Sequence, residues 1–71
     1  MNIPAYLVKH DLTYVQFGAR LGVSSGMVGH WISGRHRVTA ERAAQIELST
    51  EGAITRLDLR PDIFASQTEA A

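Results

Sequence analysis

Apolar residues between positions 13 and 34 recur at helical spacing in two short runs. The first run places Phe17 and Leu21 four residues apart, on one face of a helix. The second run occupies positions i, i+3 and i+4 of another helix, namely Val28, Trp31 and Ile32. This pattern predicts two amphipathic helices, each of about two turns, with a tight bend between them.

The residues that flank these runs are typical of helix ends. Thr13 followed by Gln16 forms a capping-box pattern, and Ser24 is a favourable N-cap for the second helix. Gly22 and Gly34 follow the two runs, where a helix favours a residue that tolerates positive φ. Two helices joined in this way form a helix-turn-helix, whose second helix can lie in the major groove of DNA.

Further capping signals predict three more helices. Asn2 can cap a first helix, and Thr39 can cap a fourth over residues 40–49. Thr55 starts a second capping-box pattern and a short fifth helix, which Pro61 should stop. No run has the alternating pattern of a strand. The sequence therefore predicts an all-α, compact five-helix domain with a central helix-turn-helix and a short C-terminal helix.

Length and composition limit what else the chain can contain. Its 71 residues suffice for one domain, which we place at residues 1–64, with a disordered tail at 65–71. The sequence has no cysteine and no apolar run near the roughly 18 residues of a membrane span. No charged-then-apolar signal peptide opens the chain. We therefore expect a cytoplasmic protein without a disulfide framework or a membrane partner.

Charge is unevenly distributed along a chain whose formal net charge is zero. Residues 1–45 hold five basic and two acidic side chains, a net charge of +3, and all three histidines. Residues 46–71 hold two basic and five acidic side chains, a net charge of −3. A basic half that also carries the helix-turn-helix favours a polyanionic partner, although a short chain can reach this asymmetry by chance.

The helix-turn-helix resembles that of the phage Cro and lambda-repressor-like families, particularly the small Cro-like and YdaS-like regulators. The matching residues are Phe17, Gly18, Leu21, Gly22, Val23, Ser24, Val28, Trp31, Ser33 and Gly34. The stretch TAERAAQIELSTEGAITRLDLRPDIF also resembles that group's fourth helix and tail, so the resemblance covers about residues 2–64. It implies a Cro-type repressor that binds double-stranded DNA, at a pseudo-palindromic operator, as a homodimer.

The outward side of the second helix supplies the expected base contacts. The positions that match those contacts in Cro-like proteins are Ser25, Gly26, Gly29 and His30. Many relatives carry polar side chains where the two glycines stand, and each glycine costs a helix roughly 1 kcal/mol relative to alanine. The glycines indicate either a close approach of the backbone to the groove or drift in a weakly selective binder. Direct base readout is sparse in both cases, so indirect readout should contribute much.

Phosphate contacts are expected at both ends of the helix-turn-helix. The amino end of its first helix offers free N–H groups and a favourable dipole, and a basic cluster follows its second helix. The predicted residues are Thr13, Tyr14, Gln16, Ser24, Arg35, His36 and Arg37. The alternative for the basic cluster is an ordinary solvated loop. Gly18 and Trp31, in contrast, are interpreted as structural residues.

Apolar residues near the carboxyl end predict the dimer interface. They are Ile54, Leu57, Leu59, Ile63 and Phe64. Leu57 and Phe64 could instead fold back on the first and fourth helices. Ile54 and Leu59 are the stronger candidates for contact with a partner.

Two other classes of function compete with this hypothesis. Catalysis is disfavoured because His10, His30 and His36 have no cysteine or carboxylate at a metal-ligand spacing, and no nucleophile pattern accompanies them. We therefore expect no enzyme activity, metal or cofactor. The stronger alternative is an antitoxin that binds a toxin and autoregulates its operon, or a subunit that recruits RNA polymerase.

Overall fold

The computed structural model describes the backbone of residues 1–70 and the side chains of residues 1–65. Six helices and no strand occur in this part of the chain. They are α1 (Ile3–His10), α2 (Tyr14–Leu21), α3 (Ser25–Ser33), α4 (Ala40–Ser49), α5 (Arg56–Leu59) and α6 (Pro61–Ala70). The Cα radius of gyration is 11.9 Å, close to the ~11 Å expected for a compact domain of this length. The prediction of an all-α, compact fold is confirmed.

The predicted caps are present at both ends of α2 and at the start of α3. The Thr13 hydroxyl accepts from the Gln16 N–H at 3.1 Å, and Gln16 Oε1 accepts from the Thr13 N–H at 2.9 Å. The Ser24 hydroxyl accepts from the Met27 N–H at 3.2 Å. Gly22 ends α2 with φ of +74°, in the left-handed region that favours glycine. These caps fix where α2 begins and ends and where α3 begins.

The sixth helix is a correction to the predicted count of five. Pro61 was expected to end the helical structure, and α5 does end at Leu59. Proline is also well suited to the first turn of a helix, because its missing N–H would be unsatisfied there in any case. Pro61 therefore both prevents continuation of α5 and opens α6. The disordered tail predicted for residues 65–71 falls mainly on residues 66–71, outside the described side chains, and stays a prediction.

The core lies between α1, α2, α3 and α4 and is closed by the C-terminal helices. Its buried apolar residues are Ile3, Tyr6, Leu7, Phe17, Leu21, Val28, Val38, Ala43, Ile46, Ile54 and Phe64. Trp31 and Ile32 pack against this core while half-buried, as the inner face of α3 predicts. Trp31 is thus a packing residue and not an exposed ring free to stack on bases.

α4 holds the helix-turn-helix through the last carbonyl of α2. Arg42 Nη1 and Gln45 Nε2 each donate to the carbonyl oxygen of Leu21 at 3.1 Å, and the two side chains also hydrogen-bond to each other. The Arg42 guanidinium lies 6.0 Å from the centre of the Trp31 ring, at the outer limit of a cation–π contact. Arg42 therefore positions α2 and α3 against α4.

Carboxylates attach α5 to the rest of the domain. Asp58 accepts from the terminal ammonium of Met1 at 2.6 Å and from the Thr55 N–H at 3.1 Å, and these bonds lower the pKa of Asp58. Glu47 accepts from the Arg56 N–H at 2.7 Å and from Arg56 Nε at 3.0 Å. Both bonds lower the pKa of Glu47, the bond from the Arg56 backbone more than the bond from its guanidinium. The ionised forms are thus favoured in the folded state.

Acid should loosen this attachment. A carboxyl whose pKa is lower in the folded than in the unfolded state stabilises the fold fully at pH values above its unfolded pKa, which is near 4. That stabilisation is lost as the pH falls through the folded pKa. We expect the urea midpoint, followed by circular dichroism, to fall as the pH is lowered below about 4. Glu47→Gln should make the decline shallower. An identical decline in this variant would contradict a role for Glu47 in acid sensitivity.

Candidate nucleic-acid interface

The four residues predicted to contact bases lie together on the outer side of α3. Gly26 is exposed, and Ser25, Gly29 and His30 are half-buried, whereas Val28 on the opposite side is fully buried. The helix thus presents one face to the core and the predicted face to solvent. Whether this face contacts bases stays a prediction.

At the two outer glycines of α3, Gly26 and Gly29, the neighbouring side chains leave room for a Cβ atom. A Cβ added to Gly26 would lie 3.7 Å from Ser24 Oγ, and one added to Gly29 would lie 3.6 Å from Cε2 of Tyr14. Both are ordinary van der Waals distances. The backbone of α3 is exposed at Gly26, where a bound molecule could approach it closely, whereas Gly29 is half-buried beside the Tyr14 ring.

Gly18 differs from these glycines, because the fold itself requires it. A Cβ added there would lie 2.6 Å from the carbonyl oxygen of Val23 and 3.2 Å from that of Ser24. The Val23 N–H also donates to the Gly18 carbonyl at 2.9 Å, so the turn packs directly on α2. The interpretation of Gly18 as a structural residue is confirmed.

The amino end of α2 lies beside the outer side of α3. The predicted phosphate residues Thr13 and Gln16 are occupied with each other in the capping box, yet both are exposed. Tyr14 is 44% exposed, and its ring faces the open side of Gly29. The first N–H groups of a helix lack intrahelical partners and can donate to an anion. The N-terminus of α2 and the outer face of α3 therefore form one continuous surface.

The basic segment after α3 folds back toward the same surface. Arg35, His36 and Arg37 are all exposed. The His36 N–H donates to the His30 carbonyl at 3.3 Å, and the two imidazole rings lie 4.9 Å apart between centres. The fold therefore brings a predicted phosphate residue next to a predicted base residue.

Two residues that support this segment, Arg60 and Asp62, were not predicted from the sequence. Arg60 Nη1 donates to the Val38 carbonyl at 2.8 Å, and Arg60 Nη2 and Nε donate to Asp62 at 2.7 and 3.0 Å. Asp62 also accepts from Arg37 Nη1 at 3.2 Å. These bonds, with Arg60 as the main cause, lower the pKa of Asp62 to about 2 and raise the pKa of Arg60. The only signal in the sequence was an arginine and an aspartate on either side of Pro61.

Two residues of the predicted dimer interface, Ile54 and Phe64, lie inside the monomer. Ile54 is completely buried within the monomer, where its N–H donates to the Thr50 hydroxyl at 3.1 Å, and Phe64 is only 9% exposed. Neither side chain is available to a partner in this conformation. Leu57, for which folding back on the first and fourth helices was the alternative, is 37% exposed, and Leu59 and Ile63 pack half-buried against the core.

Among the described residues, no group of three or more histidine, aspartate or glutamate side chains could hold a metal ion. No helix in that part of the chain has the length and apolar character needed to cross a membrane.

The fold and this surface define a small all-helical protein with a helix-turn-helix. Residues 14–68 match the model of the family described as bacterial toxin YdaS, and the chain belongs to that family. The match begins at Tyr14, the first residue of α2, and so includes the whole helix-turn-helix.

A curated relative is YdaS of Escherichia coli (strain K12), whose description is that of a proposed transcriptional regulator. The two sequences are 46% identical over 43 residues, which cover 61% of this chain and 44% of that protein. The matched part of the chain thus spans less than half of the relative's length. No solved structure matches the chain.

Proposed function

We propose that this protein is a sequence-specific DNA-binding transcriptional regulator, acting as a repressor of the Cro type. The observation that supports this most strongly is the composite surface around α3. The exposed backbone at Gly26, the half-buried Gly29 and the side chains of Ser25 and His30 lie between the N-terminus of α2 and the segment 35–37. The description of the Escherichia coli relative supports the same class of function.

In the proposed complex, α3 enters the major groove. The side chains of His30 and Ser25 contact base edges. Because Gly26 has no side chain, the backbone of α3 can lie close to the groove. The N-terminus of α2 binds a phosphate on one side, and Arg35, His36 and Arg37 bind phosphates on the other. Two short polar side chains read few bases directly. Much of the selectivity therefore comes from the shape and deformability of the site.

A single unit covers only a half-site, so we propose a two-fold dimer on a pseudo-palindromic operator. The exposed Leu57, together with the partly exposed Leu59 and Ile63, provides apolar surface for the partner. Ile54 and Phe64 support that surface from within the core.

Selection from a pool of random duplexes with the purified full chain tests this proposal. Enrichment of two inverted half-sites, with centres roughly 34–36 Å or one helical turn apart, is the expected result. A single enriched half-site would contradict the dimer and leave the DNA-binding proposal intact. Failure to retain any duplex at low salt would contradict DNA binding itself.

His30→Ala should change base preference at one position in each half-site, because the imidazole is the largest polar side chain on the outer side of α3. The measurement is the same duplex selection, repeated with the variant. His10→Ala serves as a control, since His10 lies at the end of α1 with its ring 4.3 Å from that of Tyr6. An unchanged motif with His30→Ala would remove His30 from the base contacts.

The family description favours a second candidate, a role in toxicity. The description names a toxin, a protein that would itself arrest growth. The alternative expected from the sequence, an antitoxin that binds a toxin and autoregulates its operon, is not favoured by that description. Induced expression distinguishes these roles: growth arrest by the wild type favours a toxin, and copurification with a neighbouring gene's product favours an antitoxin. Growth arrest that disappears in Arg35→Ala/Arg37→Ala would attribute toxicity to DNA binding.

A further inference from the structure

The first turn of α6 carries a carboxylate directed at the proposed phosphate-binding segment. Asp62 accepts from Arg37 Nη1 at 3.2 Å and from two nitrogens of Arg60 at 2.7 and 3.0 Å. A carboxylate bonded to a guanidinium makes the same kind of contact as a phosphate does. The free protein thus holds one of its proposed phosphate-binding cations on a group of its own.

We propose that Asp62 is an intramolecular competitor of DNA for Arg37. The inference rests on the proposed function, because it concerns what Arg37 binds in the absence of DNA. In the free protein Arg37 pairs with Asp62, and in the complex it pairs with a backbone phosphate. Asp62 therefore lowers affinity for every duplex, irrespective of sequence.

The two arginines that share Asp62 are held very differently. The Arg37 side chain is 77% exposed and makes a single bond to the carboxylate, so it can rotate away at little cost. The Arg60 side chain is 15% exposed, makes two bonds to the carboxylate and also holds the Val38 carbonyl. The exchange is consequently one-sided: Arg37 moves to the phosphate, and Asp62 stays on Arg60.

The charge of Asp62 remains after Arg37 has left. Because its pKa is held at about 2, the carboxylate is ionised throughout the physiological range. A negative charge so close to a bound phosphate repels it, and this repulsion adds to the loss of the ion pair.

Asp62→Asn tests the inference by removing the charge while preserving shape. Its affinity for a random-sequence duplex at low salt should rise roughly threefold, the scale of one exposed ion pair, with a steeper dependence on salt. Glu51→Gln removes one negative charge at the far end of α4, where Glu51 is exposed and has no ion pair among the described residues. This control should change affinity little. In an Arg37→Ala background, the part of the gain that comes from the ion pair should disappear, and only the smaller part that comes from repulsion should remain.

Unchanged or weaker binding by Asp62→Asn would overturn the inference, as would an equal gain from Glu51→Gln. A wild type that binds no duplex would instead overturn the proposed function, and that result is known before the variants are compared. Since Asp62 also bonds Arg60, thermal unfolding is measured for each variant. A second readout needs no variant: the carboxyl carbon resonance of Asp62 should move when a duplex binds the wild type. No movement under saturation would also count against competition.

Discussion

Gly18→Ala should destabilise the domain by about 3 kcal/mol, the upper part of the range for added volume in a packed site. The new Cβ would lie 2.6 Å from the carbonyl oxygen of Val23, a distance that real Cβ atoms essentially never show. The obstacle is backbone, so no side-chain rotation relieves it. Moving the turn away would also break the bond from the Val23 N–H to the Gly18 carbonyl. A domain of this size has only about 4–10 kcal/mol of stability, so the loss is a large fraction of the total.

Gly26→Ala is the matched control for this prediction. It makes the same chemical change in α3, the other helix of the helix-turn-helix, where the added Cβ meets only Ser24 Oγ at 3.7 Å. Because alanine is favoured over glycine in helices, the control should be more stable by up to ~1 kcal/mol. Urea unfolding followed by circular dichroism measures both values. Equal midpoints for Gly18→Ala and the wild type would show that the turn can move without cost.

Features that depend on neighbours three or four residues away were predictable from sequence. The capping box of Thr13 and Gln16, the cap at Ser24 and the left-handed Gly22 are all observed. Each involves a side chain and a backbone group within one helical turn, so the local order of residues is sufficient. The bounds of α4 were predictable for the same reason, since Thr39 caps it.

Burial in the C-terminal segment was not predictable, because it depends on contacts distant in sequence. Ile54 and Leu57 have similar apolar character, yet Ile54 is completely buried and Leu57 is 37% exposed. Their difference arises from the turn after α4, where the Thr50 hydroxyl bonds to the Ile54 backbone and directs that residue inward. No periodicity in this short stretch distinguishes the two positions.

The glycines give a second example of the same limit. Gly18 and Gly29 occupy helices of similar length, and sequence alone assigns each of them the same helical cost. The family resemblance, and not helix propensity, marked Gly18 as structural, and the packing of α2 on the turn gives the reason, whereas Gly29 faces the edge of the Tyr14 ring with room for a methyl group. The pairing of Arg37 with Asp62 is likewise a product of tertiary structure, since 25 residues separate them.

Loss of both arginines after α3 should abolish most DNA binding. If each side chain neutralises one phosphate, Arg35→Ala/Arg37→Ala lowers the magnitude of the salt slope by about 1.8 and weakens binding roughly tenfold per lost contact at low salt. The loss should be similar for all sequences, because phosphates carry no sequence information. Titration of a fluorescent duplex at several salt concentrations measures both quantities.

The structure predicts which of the two single variants, Arg35→Ala or Arg37→Ala, loses more affinity for DNA. Arg35 is exposed and makes no ion pair among the described residues, so its whole interaction with a phosphate is gained on binding. Arg37 must first leave Asp62, so the loss of that ion pair offsets part of the binding free energy that its phosphate contact contributes. Arg35→Ala should therefore weaken binding more than Arg37→Ala does. The control is Lys9→Gln, which removes one exposed positive charge at the end of α1 and should leave the salt slope unchanged. A salt slope equal to that of the wild type in the double variant would exclude both arginines from the phosphate contacts.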